Sequence, residues 1–213
     1  MKNIFGLSIP QTLEEVCDPQ RVALLVYDMQ VGILNQIKNP EQLTLQVLKV
    51  LSAARHAGVR VLFSRHLSLP KELMGMSQFR MAMAWQRTDS PEQVKPWFLR
   101  DDPSFQIIPE LAPRPTEGVF EKLTMSAFKG TWLDFALRDC GINAFIVVGV
   151  ATEIGIEPTI RHGADLGYIP VFVNDACGSG NAEAAQRSIN SIKFIGDALI
   201  TDTETVCSCL ARS

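Results

Sequence analysis

No apolar stretch of the 213-residue chain comes near the roughly 18 residues that a membrane-spanning helix needs, so no span is expected. Charge of one sign is missing too: 20 Lys and Arg stand against 23 Asp and Glu, intermixed rather than blocked, for a formal net charge of -3. That balance gives no electrostatic footprint for nucleic acid or an anionic membrane surface. Cysteine offers no framework either. Five scattered residues, Cys17, Cys140, Cys177, Cys207 and Cys209, are an odd number without disulfide or zinc-ribbon spacing. The amino terminus reaches Pro10, Glu14 and Glu15 before any useful apolar h-region, so no signal peptide is read there. Repeats, low-complexity tracts and interdomain linkers are absent. These absences leave a protein of the reducing cytoplasm, whose partner is a small molecule or another copy of itself.

What is present suits one large α/β domain over residues 1–213, with an N-terminal extension over 1–20. Apolar runs rich in β-branched residues recur at Val22–Tyr27, Val59–Phe63, Ala144–Val148, Ile169–Val173 and Ala198–Ile200, with a short sixth at Gly118–Glu121. Helical patterns lie between them, at Glu41–His56, Trp132–Cys140, Pro158–Leu166 and Ala182–Phe194. Continuous apolar strands alternating with helices predict a three-layer α/β/α sandwich around a mainly parallel six-stranded sheet. Residues 69–115 differ. Seven prolines there, with Trp85, Trp97 and several methionines, read as an irregular insertion near the site, holding one short helix around Met76–Trp85.

Ligands of open α/β sheets bind beyond the carboxyl ends of the strands. The residues at those ends are Asp28 and Gln30, Ser64-Arg65-His66, Lys122, Gly149 to Gly155, and Asn174-Asp175. A carboxylate, a lysine and a loop of backbone donors therefore converge on one crevice.

Three segments carry a family likeness. Leu24-Leu25-Val26-Tyr27-Asp28-Met29-Gln30, Phe120-Glu121-Lys122 leading to Ser126-Ala127-Phe128, and Gly149-Val150-Ala151-Thr152-Glu153-Ile154-Gly155 resemble, in order and spacing, the signature segments of the isochorismatase-like hydrolases. The likeness extends over roughly residues 20 to 205. It implies a catalytic aspartate at Asp28, a catalytic lysine at Lys122, and a cis peptide in the glycine-valine segment that shapes an oxyanion pocket. The position of the family's nucleophilic cysteine falls on Gly155, which has no nucleophile to offer. The family's true isochorismatases also place glycine there and cleave an enol ether by protonation and water attack, although they differ at Glu153. Metal-binding members use an aspartate-x-histidine segment. Here it reads Ser64-Arg65-His66, so no metal and no cofactor are expected. The likeness also implies a homodimer or homotetramer, for which the insertion and Cys207–Leu210 are candidate contact surfaces.

Each candidate has a plainer reading beside it. Asp28 is a strand-end cap or a proton-bearing acid with a raised pKa. Lys122 is a solvated lysine or the group that tunes that proton. Residues 151–155 are a strand-to-helix turn or a set of oxyanion donors at the start of a helix near Glu157 or Pro158, with Ala151, Thr152 and Gly155 in the pocket. Glu153, a candidate substrate-binding residue, is an extra acid beside the water or, the favoured reading, is tied to a neighbouring arginine such as Arg161. Gln30 and His66 are expected to touch substrate, and Phe128, ahead of Trp85 and Trp97, to wall it. His56 and His162 read as ordinary surface or packing residues, Cys177 as an inert buried thiol, and Gly178-Ser179-Gly180 as the approach to a helix. The leading expectation is a cofactor-free hydrolase that uses water and Asp28. The alternatives are cysteine-independent opening of a small amide or cyclic amide, and a silent family member that only binds a metabolite or partner.

Overall fold

The computed structural model describes residues 1–212. It opens with an antiparallel ribbon, β1 (Lys2–Ile4) and β2 (Leu7–Ile9), followed by a single helical turn, α1 (Leu13–Val16). Then come β3 (Val22–Tyr27), α2 (Val31–Leu34), α3 (Pro40–His56) and β4 (Arg60–His66). The insertion holds α4 (Met76–Gln86) and four short 3-10 turns. The remainder runs β5 (Gly118–Lys122), α5 (Leu133–Asp139), β6 (Ala144–Gly149), α6 (Glu157–Asp165), β7 (Ile169–Cys177), α7 (Ala182–Ile195), β8 (Leu199–Thr201) and α8 (Thr203–Arg212).

Six strands form one sheet in the order β5-β4-β3-β6-β7-β8, and every pairing is parallel. β3 shows why. Val22, Leu24 and Val26 face one apolar cluster with α3 and α8, while Ala23, Leu25 and Tyr27 face a second with α5, α6 and α7. A strand apolar at every position needs helices on both faces, which is the three-layer arrangement. α3 presents Leu43, Val47, Val50, Leu51 and Ala54, a stripe at helical spacing, to the first cluster. α7 starts on an Asn181 side chain that accepts from the Ala184 N–H and stops at left-handed Gly196.

Several boundaries differ from the expectation. β4 and β7 run on to His66 and Cys177, so Asn174 and Asp175 lie within a strand rather than beyond one. Three-residue alternations are too short to announce the ribbon, and α8 is not among the expected helices. Its Val206, Cys209 and Leu210 are buried within the chain. Of the segment expected as a contact surface, Cys209 and Leu210 are therefore spent on the protein's own core.

Candidate active site

The strand order reverses between β3 and β6, and the site sits at that switch point. Tyr27 and Gly149 are register partners at the ends of these strands. Gly149 has φ +123, and a Cβ there would run into the Tyr27 carbonyl, so only glycine permits this approach. A cis peptide joins Val150 to Ala151. On the β3 side the chain turns through Asp28 at φ 46, a left-handed conformation that aspartate tolerates better than most residues.

That turn aims the Asp28 carboxylate across β4 toward β5. Ser64 Oγ, on β4, donates to Oδ1 at 2.6 Å, and Lys122 Nζ, on β5, lies 2.7 Å from Oδ2. Two strand spacings separate the backbones, about 10 Å, and a lysine side chain is long enough to close most of that gap. Both partners are buried, with side chains 1% and 5% exposed. Lys122 Nζ also donates to the Thr124 carbonyl at 3.2 Å and stands 4.4 Å from the centre of the Tyr27 ring. Its ammonium is thus held on three sides. Burial draws the Lys122 pKa below its ordinary value, and the Asp28 charge opposes that pull.

A cavity of about 450 Å³ opens above this pair. Tyr27, Asp28, Lys122, Ala151 and Gly155 form its inner side, while the insertion supplies Trp85, Arg87, Trp97 and Phe98 as the outer wall. Arg87 makes no ion pair among the described residues. His66 lines the cavity with its ring edge-on to Phe98 at 5.9 Å. Burial first, and then the nearby Lys122 charge, depress its pKa to about 4, so the imidazole is neutral at physiological pH.

Residues 152–156 form one wide helical turn rather than a loop. Its amides turn inward: Ile154, Gly155 and Ile156 all donate to the Ala151 carbonyl, at 3.3, 3.0 and 3.1 Å, and Thr152 N–H donates to the Gly178 carbonyl at 2.9 Å. Of the N–H groups expected as oxyanion donors, those of Thr152, Ile154 and Gly155 are therefore already engaged. The Ala151 N–H has no protein partner among the described residues and remains for a ligand. At Gly155 an ideal Cβ would overlap the Tyr27 hydroxyl and lie 2.5 Å from its Cζ and 2.7 Å from its Cε1. The Tyr27 phenol thus stands where a residue-155 side chain would go.

Other expected site residues lie elsewhere. Glu153 Oε1 accepts from Gly180 and Asn181 N–H at 2.8 and 2.7 Å, because the start of α7 presents free amides beside it. Arg161 pairs instead with Glu157 and Asp197. Phe128 is packed among Phe145, Tyr168 and His162 in the second core cluster, and Trp85 and Trp97 face the cavity in its place. Gln30 is fully buried and braces backbone: its amide donates to the His66 and Phe105 carbonyls and its oxygen accepts from His66 N–H. Thr152 is likewise buried, its hydroxyl on the Gly178 carbonyl. The Cys177 thiol contacts the Val147 carbonyl, and burial pushes its pKa well above the ordinary value, which leaves no thiolate. Among the described residues, no three His, Cys, Asp or Glu cluster as a metal set, and no helix is long and apolar enough to cross a membrane. Tyr27, Ser64 and Arg87 belong to this candidate site, and the sequence assigns none of them a role in it. The first two flank Asp28 in space, and only Tyr27 also flanks it in sequence.

The isochorismatase domain model matches residues 22–205. The ureidoacrylate amidohydrolase RutB of Serratia proteamaculans (strain 568) is 27% identical, over 96% of this chain and 89% of its own length. The protein of the same name from Yersinia enterocolitica is also 27% identical, over 90% of each. Among solved structures, a cysteine hydrolase from Pseudomonas syringae pv. phaseolicola 1448A is 26% identical with a TM-score of 0.77, over 91% of this chain and 94% of that one. N-carbamoylsarcosine amidase from Thermoplasma acidophilum, at 21% identity and a TM-score of 0.70 over 86% of this chain and 96% of its own, shares the fold. With the family model spanning most of its length and the same six-stranded parallel sheet at its centre, the chain belongs to the isochorismatase family and is a hydrolase.

Proposed function

We propose that this hydrolase cleaves the enol ether of a small carboxylate-bearing metabolite, with water as nucleophile and Asp28 as general acid. The observation that carries this reading is the pairing of an intact, buried Asp28–Lys122 couple with a Tyr27 phenol in the place of a nucleophile. Enol-ether hydrolysis asks for a proton donor and a water, and needs neither a thiol nor a full oxyanion hole.

The couple carries one proton beyond its bare groups. Burial loosens the hold of Lys122 on that proton, which favours its passage to Asp28 and from there to the terminal enol carbon. A C–H bond forms and the ether carbon becomes an oxocarbenium ion. Water attacks that carbon and returns a proton to the couple, and collapse of the hemiketal breaks the C–O bond to give a ketone and an alcohol. In this reading neutral His66 accepts the hydrogen bond of the water and Arg87 holds the carboxylate, both residues lining the cavity. General acid catalysis of this kind supplies about 10²- to 10⁴-fold.

A second reading rests on the two amidohydrolase relatives: Asp28 acts as general base, and water opens a small amide or ureide, with the Ala151 N–H on the oxyanion. A panel of isochorismate, small carboxamides and cyclic amides, with and without prior iodoacetamide treatment, separates the two. A keto product that survives alkylation supports the first, and amine or ammonia release the second. An Asp28→Asn variant that keeps more than a tenth of the wild-type rate refutes both, and a panel with no turnover leaves metabolite binding as the function.

A further inference from the structure

Gly155 does not need to be glycine for its backbone. Its φ is not among the positive values that exclude side chains, unlike that of Gly149. Space demands it, and the closest obstruction is one residue, since the three heavy atoms nearest to a Cβ at 155 all belong to Tyr27.

Neither partner can step aside. Tyr27 ends a fully buried central strand, is 1% exposed, donates its hydroxyl to the Met125 carbonyl and carries the Lys122 ammonium on its ring. Residue 155 is pinned from the other side. Thr159 Oγ1 donates to the Gly155 carbonyl at 2.7 Å and itself accepts from Ala127 N–H at 3.0 Å. Swinging the phenol out would strand its hydroxyl and uncover Lys122 in a buried site.

We infer that Tyr27 is the specificity-determining residue that sets the class of nucleophile, filling the volume a residue-155 side chain requires and so reserving the site for water. The inference rests on reading Asp28 and Lys122 as the working pair, but its test uses no turnover, so failure of the enol-ether assignment leaves it standing and its own failure is separately visible.

The test compares Gly155→Ala and Gly155→Cys in the wild-type, Tyr27→Phe and Tyr27→Val backgrounds. In the wild-type background either change lowers the thermal midpoint by about 5 °C or more through overpacking. Tyr27→Phe gives partial relief, because it removes the overlapping hydroxyl but leaves Cζ and Cε1, whereas Tyr27→Val cuts the cost of either change to less than half. In the Tyr27→Val/Gly155→Cys protein, site-resolved mass spectrometry finds the introduced thiol alkylated by iodoacetamide at pH 7 at least about tenfold faster than Cys177, because residue 155 lines the cavity whereas burial raises the Cys177 pKa. If Gly155→Cys alone does not fold while the double variant does, the inference holds. Equal midpoint losses in the wild-type and Tyr27→Val backgrounds overturn it. So does a double variant that fails to fold, or an introduced thiol that labels as fast beside the native phenol as beside the substituted valine.

Discussion

Replacing Lys122 by methionine keeps an unbranched side chain of similar length in the channel between β5 and Asp28 but deletes the ammonium. The Asp28 carboxylate, 5% exposed, is then left with the Ser64 hydroxyl and no counter-charge. Breaking a buried pair by removing one partner costs about 3–5 kcal/mol. For a chain of this length each kcal/mol moves the thermal midpoint by about 2–4 °C, so the expected fall is roughly 6–20 °C. The size of the loss is less informative than its coupling. Asp28→Asn should destabilise by a comparable amount, since it strands the ammonium instead, whereas the Asp28→Asn/Lys122→Met double variant leaves no orphan charge. Urea unfolding of the four proteins should show the double variant more stable than the sum of the two single losses by about 2–3 kcal/mol. Losses that add to within about 0.5 kcal/mol would refute the argument, because the two groups would then not depend on each other.

Three further outcomes are expected. The pKa of His66 falls from its ordinary value of 6.5 to about 4 on folding, so the unfolded chain binds more protons between those values. Stability is fully present above pH 6.5 and declines as pH falls toward 4, by up to about 3 kcal/mol; His66→Gln should flatten that part of the urea-midpoint profile. Ser64→Ala removes the hydroxyl between the Asp28 backbone and carboxylate, and should cost about 1–3 kcal/mol in the same assay. Arg87→Met should raise KM for a carboxylate substrate about 10- to 100-fold with a smaller change in kcat, and an unchanged KM would remove Arg87 from substrate binding.

Much of this architecture is legible in the sequence because its physics is local. Val22–Tyr27 is apolar at every position, and only a strand covered on both faces satisfies that. Asp28 and Lys122 are visible as polar residues at the ends of apolar runs, where the sheet topology gathers ligands. Their 2.7 Å contact is not, because it depends on a side chain spanning an intervening strand. Phe128 and Trp85 are equally aromatic in sequence. Which one meets the cavity is decided by the packing of α6 and of the insertion, and no period encodes that. Glu153 misleads for a similar reason: an arginine eight residues on is a natural partner by charge, yet the amides opening α7, nearly thirty residues away, lie closer. Tyr27 carries an apolar signature identical to that of a core residue, and its relation to Gly155 exists only across the switch point.

The bracing by Gln30 has a consequence for how such an enzyme changes its substrate. Gln30 ties the segment just after Asp28 to the end of β4 and to the Phe105 carbonyl, and its backbone bridges to Ile107. The return limb of the insertion is thereby fastened to the segment that carries Asp28, while the stretch bearing Trp85, Arg87 and Trp97 lies upstream of that fastening. Mutations between residues 67 and 104 can reshape the outer wall without loosening the Asp28–Lys122 pair. On the proposed reading, chemistry and substrate choice are written in separately evolvable parts of the chain.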